Sequence, residues 1–92
     1  MPLAGRLKDL DSPHPQQVFP YPPHQDTVTT CSPNVTANNL GACRVGDKDS
    51  HPHIKTDGSP TVFVNNKAWH RVGDKDSGGN TLVTGSPNVL IN

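Results

Sequence analysis

A 27-residue period constrains this chain more than any other feature. Ser32-Pro33-Asn34-Val35, Ser59-Pro60-Thr61-Val62 and Ser86-Pro87-Asn88-Val89 start 27 residues apart both times. The register holds downstream, where Arg44-Val45-Gly46-Asp47-Lys48-Asp49-Ser50 returns as Arg71-Val72-Gly73-Asp74-Lys75-Asp76-Ser77. A unit this short cannot bury an apolar face alone, so its copies must pack on one another. Residues 1–14 add a degenerate copy of the second half of the unit. Gly5-Arg6-Leu7-Lys8-Asp9-Leu10-Asp11-Ser12 lies beside Cys43 to Ser50 at an offset of 38, eleven more than 27. The Pro-dense Val18-Phe19-Pro20-Tyr21-Pro22-Pro23-His24 stretch accounts for the excess and suits a rigid loop, since neither a helix nor a central strand accommodates it.

Inside each unit the pattern is that of a strand hairpin. Thr61-Val62-Phe63-Val64 goes up, Asn65-Asn66-Lys67 turns, and Ala68 to Val72 comes down. Alternation sets Val62 and Val64 on one face and Phe63 on the other, and Asn65-Asn66 fits a tight turn because Asn tolerates positive φ. Val35-Thr36-Ala37, Asn38-Asn39-Leu40-Gly41 and Ala42 to Val45 repeat the plan, preceded by β-branched Thr27-Val28-Thr29-Thr30. The chain has no Glu, and Gly and Pro supply 18 of 92 residues, a composition of short strands and turns rather than helices. The prediction is a single all-β domain over 1–92, with repeats near 1–30, 31–57 and 58–84 and a partial copy at 85–92. Three pseudo-threefold hairpin units would form a small conical β-prism.

Charge and cysteine content exclude several functions. A net charge of zero leaves no electrostatic footprint for nucleic acid or an anionic membrane. Asp47-Lys48-Asp49 and its copy read as a solvated loop of alternating sign. No segment is apolar enough to span a bilayer as a helix, and the N-terminus lacks the apolar stretch of a signal peptide. Two Cys and five His suit a metal site or free thiols better than a disulfide framework. No catalytic constellation is evident, because Ser59 and Ser86 sit in repeated Ser-Pro turns with a structural reason to be there. The expectation is a protein without enzymatic activity.

The frame Gly-Ser-Pro-x-Val-x-x-Asn, followed by Arg-x-Gly-Asp and a second Gly-Ser-Pro, resembles the PAAR-repeat family. The family's Pro-Ala-Ala-Arg appears here as Lys67-Ala68-Trp69-His70-Arg71, with two substitutions, and one copy earlier as Leu40-Gly41-Ala42-Cys43-Arg44, so the literal tetrapeptide is absent while the frame from about Ser32 to Asn92 is intact. The opening residues resemble the family's usual start, with Lys8 in place of Gly. The resemblance implies a pointed cone of short strands on the blunt end of a trimeric β-helical spike, one tip per trimer. Such tips serve contractile phage tails and type VI secretion systems and touch the target envelope transiently. It also implies a structural zinc near the vertex, held by His and Cys. The expected location is the virion, with secretion on a type VI spike as the alternative. A free-standing metal-binding or adhesin-like module is the alternative function.

Within that frame the candidate ligands follow from repeat position. His14 follows Asp11-Ser12, and His51 and His53 follow Asp49-Ser50, so all three stand past the same landmark. His51 and His53 face the same way in extended chain, which suits one ion. The third copy offers Ser77-Gly78-Gly79-Asn80 there, without the Cys many family members have. Cys43 is the expected fourth ligand, with Cys31 and His24 behind it. His70, at the repeat position of Cys43, reads as a hydrogen-bonded core residue, and Trp69 is expected on the opposite face, under the Pro-rich loop or at an interface.

Overall fold

The computed structural model describes residues 2–12, 25–50 and 53–92. Among these residues there is no helix; the chain is built of very short antiparallel pairings. Strand β1 (Thr36–Ala37) pairs with β2 (Leu40–Gly41), and β3 (Phe63–Val64) with β4 (Lys67–Ala68). The turns are Asn38-Asn39, with φ of 54° and 65°, and Asn65-Asn66, with φ of 52° and 66°. Two successive left-handed residues match the right-handed twist of the flanking strands, and Asn adopts them at little cost.

A third pairing has the same register but joins the two chain ends. Leu3 bridges Leu90 as Gly41 pairs with Thr36 and Ala68 with Phe63. The Ala4 amide donates to the Val89 carbonyl at 2.9 Å and the Ile91 amide to the Pro2 carbonyl at 3.0 Å. Residues 2–12 are therefore the return strand that the copy at 86–92 needs. The three units close into a ring: the Gly5 amide donates to the His70 carbonyl, His70 to Cys43 and Cys43 to Gly5, at 2.9, 2.9 and 3.0 Å. The molecule is elongated, 40 × 22 × 22 Å.

Side-chain hydrogen bonds repeat with the backbone. The Ser32, Ser59 and Ser86 hydroxyls, all buried, accept the amides of Val35, Val62 and Val89. This is the local turn that Ser-Pro favours. Asn65 accepts from the Ser32 hydroxyl and donates to Asn34. Asn38 accepts from Ser86 and donates to Asn88, so each hairpin turn is pinned to the next unit. Arg6, Arg44 and Arg71 each grip the Asp three residues on through Nε and Nη2, at 2.8–3.1 Å. Between the partners the chain turns through a left-handed residue, Gly46 (φ 96°) and Gly73 (φ 93°) in two units and Lys8 (φ 72°) in the third. Only Lys8 carries a Cβ in that conformation, which L-residues adopt at a cost.

The core fills the axis asymmetrically. Near the hairpins Ala4, Ala37, Ala42, Val64, Trp69 and Ile91 form one buried cluster. Trp69 occupies the repeat position of Ala4 and Ala42, and its indole donates to the Gly5 carbonyl at 2.8 Å. It is thus a core residue, and the Pro-rich loop expected over it lies outside the described residues: one indole fills an axial space that three would overfill. Phe63 and Leu90, 61% and 49% exposed, face outward from β3 and its counterpart, as the alternation of Val62, Phe63 and Val64 predicts. A second cluster, Val28, Cys43 and Leu82 with Val72 against it, lies further along the axis.

Candidate functional site

The end of the molecule opposite the hairpin turns is built from carboxylates. Asp11, Asp49 and Asp76 stand at equivalent repeat positions, at most 5% exposed, with carboxylate oxygens within 4.8 Å of one another. They bridge Leu82, Val28 and Lys55 respectively, which are themselves repeat equivalents. Two of those three are apolar, and the third is a fully buried lysine. Lys55 Nζ donates to both oxygens of Asp11 at 2.6 Å and lies 3.7 Å from Asp76 Oδ2. One ammonium therefore faces three carboxylates. Burial pushes Asp11 up to about 6, against the opposing pull of Lys55, with Asp49 and Asp76 adding to the rise.

The Asp-Lys-Asp segments are accordingly not the solvated loops that alternating charge suggests. Asp9, Asp11, Asp47, Asp49, Asp74 and Asp76 are all buried, while Lys48 and Lys75 between them are exposed. The signal in the sequence is their spacing: the two Asp of each copy are two residues apart and share a face in extended chain. Asp47 shows how the first of each pair is stabilised. Burial works to raise it, but hydrogen bonds from the Arg44 side chain and amide and from Thr30 outweigh that and hold it below the usual carboxylate range.

Beyond this level, Asp26, His53 and Asn80 form the next set of equivalents; their carbonyls accept the amides of Asp11, Asp49 and Asp76 at 2.9, 3.1 and 2.9 Å. The His53 imidazole is 29% exposed, and its Nδ1 lies 3.2 Å from Asp49 Oδ2 and 3.6 Å from Asp26 Oδ2. Asp26, fully buried, accepts from the Ser50 hydroxyl through Oδ1 at 3.1 Å. Asp26, Asp49 and His53 thus offer three ligand atoms within 4.8 Å of one another.

The structure places the other sequence-derived candidates as follows. His14, His24 and His51 lie outside the described residues. Cys43 is fully buried against Val28 and Leu82, on the far side of the carboxylate level from Asp26 and His53. Burial pushes its thiol far above the usual range, with Asp47 adding to the rise. Cys31 is half-buried and packs so closely on Gly41 that a Cβ there would collide with its Sγ. It fills the space that Ala68 and Leu3 fill opposite Gly58 and Gly85 in the other units. His70 is fully buried, with Nδ1 2.7 Å from the Asp57 carbonyl, the hydrogen-bonded core residue that its repeat position suggests. Asp26, Asp49 and Lys55 are site residues that the repeat pattern alone does not single out.

A short three-sided β domain, closed within one chain and carrying a compact cluster of carboxylates and imidazole at one end, is the class of protein these features define. The family model described as PAAR motif matches residues 21–84. The chain belongs to the PAAR-motif family, whose proteins serve as spike tips in contractile injection machines. No curated protein matches the chain.

Proposed function

We propose that this protein caps the blunt end of a trimeric β-helical spike and sharpens it for envelope piercing, one tip per trimer. The observation that carries the reading is the cyclic pairing of Gly5, Cys43 and His70 in a member of a spike-tip family. A single chain with three near-equivalent sides can meet three identical subunits at once, as a closed symmetric partner requires. The machine is a phage tail or a type VI secretion spike, the two settings in which the family works. Phe63 and Leu90, exposed beside the hairpin turns, are on the end that would face the spike. Mixing the protein with a trimeric β-helical spike and weighing the complex tests this: one tip per trimer is expected, and three tips per trimer or no complex refutes it.

The tip is further proposed to hold a structural zinc. His53 fits such a role, being partly exposed at the tip with two carboxylates at its Nδ1. His14 and His51 would join it. A bound ion ties separate loops together where the strands end and would otherwise fray, and structural zinc can contribute on the order of 10 kcal/mol to folding. Chelation, or a His51→Ala, His53→Ala double variant, should lower the melting temperature. An unchanged melting temperature after verified metal removal refutes the metal lock.

A further inference from the structure

We propose that the tip metal is held in a shell of nitrogen and oxygen, with the Asp26 carboxylate in the place of a cysteine. The inference rests on the tip-metal reading above and names its ligands. Three observations carry it.

The first is position. Asp26, His53 and Asn80 are repeat equivalents, fixed by the same carbonyl contact to Asp11, Asp49 and Asp76. The third copy presents only an amide side chain there, so a second anionic or imidazole donor must come from one of the other two units. Asp26 is that donor, held in orientation by the Ser50 hydroxyl on its Oδ1.

The second is distance. Ligand atoms around a tetrahedral zinc, each about 2.0–2.2 Å from the ion, stand roughly 3.3–3.6 Å from one another. His53 Nδ1 lies 3.6 Å from Asp26 Oδ2 and 3.2 Å from Asp49 Oδ2. The first separation falls within that range and the second just below it. His53 Nδ1, Asp26 Oδ2 and Asp49 Oδ2 supply three corners.

The third is the position of the thiol. Cys43 packs among Val28, Leu82 and Val72, with the carboxylate level between it and His53.

The test uses the full chain, stripped of metal and titrated with Zn²⁺ against a chromophoric chelator, with zinc-edge X-ray absorption on the loaded protein. The expected result is a nitrogen/oxygen shell without sulfur. Asp26→Asn, which keeps the shape and the Ser50 contact, should weaken zinc binding at least about tenfold, since even residues that only orient metal ligands are worth about 10–100-fold. Cys43→Ala should leave zinc affinity within about twofold of wild type. Circular dichroism of both metal-free variants establishes that they fold. Sulfur in the shell, or a Cys43→Ala variant that loses zinc while Asp26→Asn keeps it, overturns the proposal and leaves the tip metal standing. A folded wild-type chain that binds no Zn²⁺ overturns both.

Discussion

Replacing Lys55 by Met should destabilise the protein by about 3–5 kcal/mol at pH 7, the usual penalty for removing one partner of a buried ion pair. Lys55 is fully buried and bonds both oxygens of Asp11 at 2.6 Å, with Asp76 Oδ2 at 3.7 Å. Its repeat equivalents, Val28 and Leu82, show that the position accepts an apolar side chain sterically. The loss is therefore electrostatic: three carboxylates within 4.8 Å of one another would have no ammonium among them. For a domain of this size, whose total stability is roughly 5–14 kcal/mol, the variant should melt at least about 12 °C lower. Urea unfolding of metal-free protein at pH 7 and pH 5 is the assay. The deficit should shrink at pH 5, because protons take over part of the ammonium's role. A Lys55→Met variant within about 0.5 kcal/mol of wild type at pH 7, or an equal deficit at both pH values, refutes the reasoning.

Two buried groups in the wild-type chain act in opposite directions on acidification. Asp11 has a folded value raised to about 6. It contributes stability that is fully present below the unfolded carboxylate range and is lost as pH rises through about 6. Burial holds His70 below the usual imidazole range, so its contribution is present above about 6.5 and declines as pH falls, because the unfolded chain then takes the proton more readily. An Asp11→Asn variant removes the first effect and keeps the second. Its stability should fall more steeply than that of wild type from pH 7 to pH 5, measured by urea unfolding.

Trp69→Ala should cost about 3–5 kcal/mol by calorimetry, the range for emptying a large aromatic site in a core, since Ala4 and Ala42 beside it are too small to close the gap. Lys8→Gly should raise stability by up to about 1 kcal/mol, because it relieves the one left-handed residue of the Arg–Asp turns that carries a Cβ. Asp57→Thr should stabilise by about 0.5–1.5 kcal/mol in urea unfolding. Thr30 and Thr84 at the same repeat position donate to Asp47 and Asp9, which the Asp57 carboxylate cannot do for Asp74.

How far the sequence discloses this structure depends on whether a residue belongs to the frame or to the axis. The hairpins are legible because Asn38-Asn39, Asn65-Asn66 and the Ser-Pro turns have local physical reasons to be where they are. The burial of Asp11, Asp49 and Asp76 is not legible in that way. A carboxylate alternating with lysine looks the same on a solvated loop as on a strand whose other face meets two further copies. Only closure of the ring, with residues 2–12 completing the third hairpin, brings the three together. Trp69 is obscured for a related reason: alternation from His70 assigns it to the outside, whereas both residues are buried at successive levels of the same axis.

Closure also accounts for why the copies cannot be identical. On the outside of the molecule a threefold repeat costs nothing, and the Arg–Asp clasps and Ser turns recur almost atom for atom. On the axis the three copies converge on a single space. Trp69 there faces Ala4 and Ala42, Lys55 stands with Val28 and Leu82, and His70 and Cys43 share a level with Gly5, each set combining different sizes at equivalent positions. Three indoles would overfill their level, and three lysines would place three ammoniums where one already bonds Asp11 twice. The backbone therefore keeps the period while the axial residues break it. The same reasoning applies at the tip, where Asp26, His53 and Asn80 carry three different side chains on one repeated position. A single ion on or near such an axis requires a set of donors, not three copies of one, and that is why the candidate site lies where the copies disagree.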